Sequence, residues 1–198
     1  GLDLALDCHV NLPDTCNAFF TPVGMSINFF AAGAGCVNTA YGTVINHEYA
    51  HFIVNRHFLP QGAFGEGYAD CIAMFEENDS VVGRDFLGPG TFVRDIVAAD
   101  KQYPCTGEVH DCGQVLGGVW WDLKLNLEAS LGTGPGLEYA RQLLTDWTEL
   151  TIGVRRKNSA TPQTAVEVLT AADDDGDISN RTPHYDEICD AFASHSIP

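Results

Sequence analysis

Asn46-His47-Glu48-Tyr49-Ala50-His51 is the stretch from which the reading starts. On a helix, residues four apart share a face about one turn apart, so His47 and His51 project side by side. Two imidazole nitrogens so placed can reach one Zn²⁺ at ~2.0–2.1 Å. Glu48 follows the first histidine and falls beside such a metal rather than on it. There a carboxylate can take a proton from a water and later hand it to a leaving amine. The plain alternative is a polar helix face with two solvated histidines. The surroundings weigh against it. Between Thr15 and Asn55, Glu48 is the only Asp, Glu, Lys or Arg. A lone carboxylate in so apolar a segment is costly unless a cation or hydrogen bonds compensate it.

Working outward, a helix is expected from about 43 to 58, stopped by Pro60, and a second from 65 to 77. Before them, Leu2, Leu4 and Leu6 alternate with Asp3, Ala5 and Asp7, the period of a half-buried strand. Residues 17–20 and 26–30 flank Thr21-Pro22-Val23-Gly24 and read as a hairpin. Further helices are expected near 111–130, 136–150, 161–172 and 183–194. Strands first and helices after imply an α+β fold. It reads as one unit over 1–198, with strands and the first helix in 1–60 and a mainly helical lobe in 61–198.

A zinc site needs a third protein ligand and an open fourth position. Two candidates compete. His57 lies six residues after His51, the ligand spacing of the metzincin proteases, which have a helix-breaking glycine in the gap. Here that position is Val54. On a continuing helix six residues turn about 600°, so His57 points away from His51 and reads as an outward or capping residue. Glu66, in Gly65-Glu66-Gly67-Tyr68-Ala69-Asp70, is the other candidate. The connection from Leu59 to Gly65 spans ~23 Å when extended, enough to double back along the first helix. Asp70 sits four residues after Glu66 on the same face and can accept the second ring N–H of a ligand histidine. An acid in a first helical turn is also favoured by the helix dipole alone, which accounts for Glu66 but not for the pair. Val44, three residues before His47, is expected to line an apolar pocket next to the site.

HEYAH followed by GEGYAD resembles the gluzincin metallopeptidases, in particular the thermolysin and fungalysin branches, which pair H-E-x-x-H with a downstream E-x-x-x-D. The resemblance covers residues 17–77 best and 108–122 in part. It implies a zincin-like fold, with His47, His51 and Glu66 holding zinc and Asp70 behind them. Asn17-Ala18-Phe19-Phe20 resembles the edge strand on which these enzymes align substrate, which implies that Asn17 and the Ala18 backbone bind the peptide. Val109-His110-Asp111-Cys112-Gly113 resembles the segment whose histidine donates to the oxyanion, which implies that role for His110; a plain loop histidine is the alternative. The implied activity is that of a zinc-dependent endopeptidase acting on peptides or proteins as a monomer. A peptidase-like module that binds a partner without cleaving it is the rival.

Composition bounds the rest. Ten Lys+Arg against 27 Asp+Glu give a net charge of −17, which disfavours nucleic acid and anionic membranes as partners. No apolar run approaches the ~18 residues of a membrane span. The start Gly1-Leu2-Asp3 reads as a mature or excised chain. Seven cysteines suit a secreted, disulfide-stapled protein, with Cys8/Cys16 and Cys105/Cys112 near enough in sequence to close local loops. Their connectivity stays open. Acids concentrate again in Asp173-Asp174-Asp175-Gly176-Asp177, where Asp173, Asp175 and Asp177 alternate as at the opening of a Ca²⁺ loop. The segment is not an EF-hand, for no Glu follows at the twelfth position. It is either a calcium site or a solvated turn that caps the next helix.

Overall fold

A computed structural model describes residues 2–198. The fold is α+β, with a small sheet at the amino-terminal side and helices making up the rest. Strands β2 (Ala18–Thr21) and β3 (Ser26–Phe30) form the expected antiparallel hairpin, with Ala18 opposite Phe29 and Thr21 opposite Ser26. β1 (Asp7–Leu12) runs parallel to β3 on its other side, so the order is β1-β3-β2. β3 is central and buried, whereas β2 keeps one edge free. The alternation at 2–6 marks no strand. Pairing decides the matter: Asp7, Cys8 and His9 lie opposite Ser26, Ile27 and Asn28, and the His9 ring meets Asn28 Oδ1 at 3.0 Å.

Helix α1 (Gly42–Arg56) runs under the sheet. Val44 packs with Ile27 and Phe29, while Ala50 and Val54 join the large helical core. A helix buried on so much of its circumference belongs to an interior, and this one carries His47 and Glu48 inside with it. It ends earlier than its composition suggests. Phe58 takes a left-handed conformation (φ +58°), its N–H donates to the Asn55 carbonyl, and Leu59 N–H donates to Val54. These paired bonds are a Schellman closure, with buried Leu59 covering Val54. The turn reverses the chain two residues before Pro60.

Helix α2 (Gly62–Glu77) then packs along α1 and on its other side against α4 (Val109–Leu131). α2 and α4 approach closely. A Cβ on Gly67 would lie 2.4 Å from the Gly113 carbonyl oxygen, and one on Gly113 would lie 3.0 Å from Glu66 Cβ. Two glycines facing each other thus bring the first turn of α4 against Glu66. Between α2 and α4 lie a two-stranded ribbon, β4 (Val81–Val82) with β5 (Arg94–Asp95), and the single turn α3 (Ile96–Ala99). Helices α5 (Thr133–Leu150), α6 (Pro162–Ala172) and α7 (Tyr185–Ser194) close the core, in which the Trp120 and Trp147 rings lie 5.4 Å apart.

Two disulfides are present. Cys105–Cys112 closes a short loop at the start of α4, as its spacing suggests. Cys16 bonds Cys36 rather than Cys8. A backbone bridge between Gly33 and Cys36 folds that segment back towards Cys16, whereas Cys8 is exposed on β1. Two disulfides point to an oxidising environment such as that outside the cell. Among the described residues no helix is long and apolar enough to cross a membrane.

Candidate metal centre

His47, His51 and Glu66 offer three ligand atoms that all lie within 4.8 Å of one another. The two Nε2 atoms are 3.1 Å apart. Glu66 Oε2 lies 3.3 Å from His47 Nε2 and 3.6 Å from His51 Nε2. Two turns of α1 supply the imidazoles, and the reversal at Phe58–Leu59 brings the second turn of α2 back over them.

Each histidine is gripped from behind. His47 Nδ1 lies 2.9 Å from Asp70 Oδ1. Asp70 is fully buried and also accepts two bonds from Arg94, Nε to Oδ2 and Nη2 to Oδ1, both at 2.8 Å. His51 Nδ1 lies 2.9 Å from Gln61 Oε1, while Gln61 Nε2 donates to the His51 carbonyl at 3.1 Å. With both Nδ1–H groups donating outward, both neutral rings turn Nε2 lone pairs towards the same point. Glu66 Oε2 faces that point too and is buried without a hydrogen-bond donor. Two lone pairs and a carboxylate oxygen facing one another repel unless a cation sits among them. The donor set therefore fits a metal ion, and the cluster can hold one.

Without metal, a proton answers the same demand. Burial opposes charge on His47, but Asp70 and Glu66 outweigh it and hold its pKa up at about 9. Burial likewise works to raise the Glu66 carboxyl, and His47 and His51 drive it well below its ordinary value. For Asp70 burial again works upward, yet Arg94 and His47 hold it down at about 2.

The cluster forms the floor of a cleft of about 650 Å³. Asn17, Ala18, Phe19 and Phe20 line one side along the free edge of β2, as the sequence suggests, and Val44 lies in the wall. Glu48 opens into the cleft, is 6% exposed, and makes no side-chain hydrogen bond among the described residues. His110 also reaches it. Glu108 caps α4, accepting the His110 N–H at 2.9 Å and lying 2.8 Å from the ring Nδ1. That contact turns His110 Nε2 towards Glu66 Oε2, at 3.3 Å. His57, by contrast, is the residue that closes α1 and has no place in the cluster. Tyr68 is a packing residue, bonded to Thr148 at 2.9 Å.

Three residues of the site escape sequence reading: Gln61, Arg94 and Glu108. Glu108 carries a signal, an acid just ahead of a helix start. Arg94 carries none, since a two-residue strand has no period.

The acidic segment differs from its expectation. The group that comes together is Asp173, Asp174 and Asp175, and Asp177 stands outside it. Asp177 Oδ1 accepts from both the backbone and the hydroxyl of Ser179, capping a short 3-10 turn over Ile178–Asn180. Those bonds commit Asp177 Oδ1 to the turn that follows rather than to the acids before it.

No protein-family model matches this chain, and no curated protein matches it in sequence.

Proposed function

We propose that the protein is a secreted, zinc-dependent endopeptidase with a zincin-like fold of the gluzincin type. One observation carries the reading. The three converging ligand atoms and the buried Glu48 carboxylate share a cleft with the free edge of a β-strand. Metal, base and strand edge are what hydrolysis of an extended peptide requires.

When bound, zinc would supply Lewis acidity to a peptide carbonyl and acidify a water. The chain's own residues do the rest. The backbone of Ala18 and its neighbours on β2 pairs with the substrate, while Asn17 at the mouth of the strand holds it in register. Glu48 takes a proton from the attacking water and delivers it to the departing amine. Its burial excludes solvent from that exchange. His110 in its doubly protonated form, with Nδ1–H held by Glu108, donates its Nε2–H to the oxygen that gains charge. Val44, with Val82, Phe86 and Val93 in the same wall, gives an apolar seat for one substrate side chain.

Glu48→Gln tests the reading. The amide keeps the shape but not the base, so metal content should be unchanged while cleavage of a mixed peptide library falls by roughly 10²–10⁴-fold. A Glu48→Gln protein that digests the library as well as the parent would sink the assignment. So would a metal-loaded parent that cuts nothing.

A further inference from the structure

The connection between α5 and α6 carries Arg155, Arg156 and Lys157 in succession, all exposed. The chain has 27 Asp+Glu and ten Lys+Arg, and five of those ten cations contact a carboxylate: Arg84, Arg94, Lys101, Lys124 and Arg181. Arg141 instead caps the end of α2 through the Phe75 carbonyl. Among the described residues this leaves Arg56 and the three on this loop. Arg156 moreover holds φ at +94°, a left-handed conformation that side-chain-bearing residues avoid. Strain of this sort persists only where the surroundings impose it.

The loop lies against the two segments that carry the cleft residues Gln61 and His110. On one side a Cβ on Gly153 would lie 2.5 Å from Pro60 Cδ, so the chain here lies flush against the residue before Gln61, whose amide grips His51. On the other, Asn158 Oδ1 accepts from Cys105 N–H at 2.8 Å and Lys157 Nζ donates to Thr106 O at 3.2 Å. Ser159 Oγ donates to Cys112 O at 2.6 Å. Those bonds tie it to the segment that carries His110. Ile152, 74% exposed, adds an apolar neighbour.

We propose that Arg155, Arg156 and Lys157 form an anion-attracting rim that selects extended peptides carrying Asp or Glu beside the part held in the cleft. The inference rests on the peptide reading of that cleft and specifies its substrate class. Charge complementarity carries it. The chain's overall negative field is screened beyond ~8–10 Å in physiological salt, so an acidic side chain arriving here meets the local cations first. A polyanion such as nucleic acid would extend past three cations into the acidic remainder.

The test is a binding measurement on the full, metal-loaded chain. A fluorescent peptide with an apolar centre and glutamate flanks, and its glutamine counterpart, are titrated by anisotropy. Replacing the three cations together (Arg155→Ser, Arg156→Ser, Lys157→Ser) should weaken the glutamate peptide about tenfold. The glutamine peptide should bind both proteins alike, and the difference should vanish near ~1 M salt. Arg155→Lys with Arg156→Lys should restore binding, which separates charge from folding. Equal affinity of parent and triple variant for the glutamate peptide would overturn the proposal. So would an equal loss for the glutamine peptide, or tighter binding of an oligonucleotide of the same charge. Cleavage is read separately. A protein that cuts neither peptide but loses the glutamate peptide in the triple variant refutes the peptidase reading and keeps the rim. One that cuts both while the triple variant binds both like the parent does the reverse.

Discussion

The molecule holds two groups of ligand-type side chains, and they are built in opposite ways. His47, His51 and Glu66 come from two helices, and each histidine is held from behind by a second residue. Asp173, Asp174 and Asp175 come from one turn. Three of the four oxygens of Asp173 and Asp175 are taken up locally: Gly176 N–H binds Asp173 Oδ2, Asp177 N–H binds Asp175 Oδ1, and Asn180 binds Asp175 Oδ2. In the first group the outer bonds aim unsatisfied atoms at one another. In the second they satisfy most of the Asp173 and Asp175 oxygens where they stand. What distinguishes a metal centre is thus less the count of acids and imidazoles than the direction in which the supporting bonds push.

The contrast breaks first if the wrong group controls metal. Glu66→Ala removes a direct ligand and should weaken zinc by more than the ~10–100-fold typical of losing an outer partner. His57→Ala and Asp173→Asn should leave zinc affinity within about twofold of the parent. Competition against a chromophoric chelator measures all three. A large loss in His57→Ala with none in Glu66→Ala would replace the third ligand by the histidine at the end of α1.

The supporting bonds give the next effect. Asp70→Asn keeps an acceptor for His47 Nδ1–H but removes the charge that Arg94 pairs with, so zinc should weaken ~10–100-fold. The metal-free protein should also lose ~3–5 kcal/mol, because the Arg94 guanidinium is left buried without its partner. Its pH profile follows from the signs. The His47 pKa is raised in the folded state, so its stabilising contribution is complete below the unfolded value near ~6.5 and is lost as pH climbs through about 9. Glu66 and Asp70 are lowered, so theirs is present above the unfolded carboxylate values near ~4 and is lost as pH falls further. Metal-free protein should therefore melt highest between about pH 5 and 6.5 and decline towards pH 9. Zinc should remove the alkaline decline, since it takes the place of the proton. Thermal melts with and without zinc, on parent and Asp70→Asn, measure this. A metal-free parent that melts higher at pH 9 than at pH 6 would contradict it.

What the sequence made legible here is what local periodicity can encode. The hairpin over 18–30, the helices α1 and α2, and the four-residue spacings His47/His51 and Glu66/Asp70 all express a repeat of two or of 3.6 within one element. The same spacing argument puts Asp70 on the face of Glu66, and Asp70 Oδ1 lies 2.9 Å from His47 Nδ1. The misses are long-range choices. Residues 2–6 alternate well but have no partner strand, whereas 7–12 lie beside β3. Cys16 finds Cys36 through a chain reversal, not through nearness in sequence. Arg94 is delivered to Asp70 by a ribbon two residues wide, too short to leave a pattern. The close meeting of Gly67 with Gly113 carries His110 to Glu66, and glycine in a helix reads from sequence only as a weak former.

The smallest effect belongs to the acidic turn, and it bears on the comparison most finely. Among its carboxylate oxygens, Asp173 Oδ1 is buried without a hydrogen-bond partner. That single atom resembles Glu66 Oε2, but the acids grouped with it all come from its own turn. Calcium bound there must compete with the backbone and side-chain donors already in place, so a dissociation constant in the millimolar range is expected, at the weak end of calcium modules. With a dissociation constant of ~1 mM, ~10 mM calcium stabilises by about 1.4 kcal/mol, a rise of a few degrees in Tm. Asp173→Asn should abolish that rise and leave the zinc-dependent rise intact. If instead micromolar calcium raised Tm by ten degrees or more, the donors at Gly176, Asp177 and Asn180 would have to give way on binding. The turn would then be a built site that rearranges around its ion, and the difference drawn between the two groups would be one of preorganisation rather than of kind.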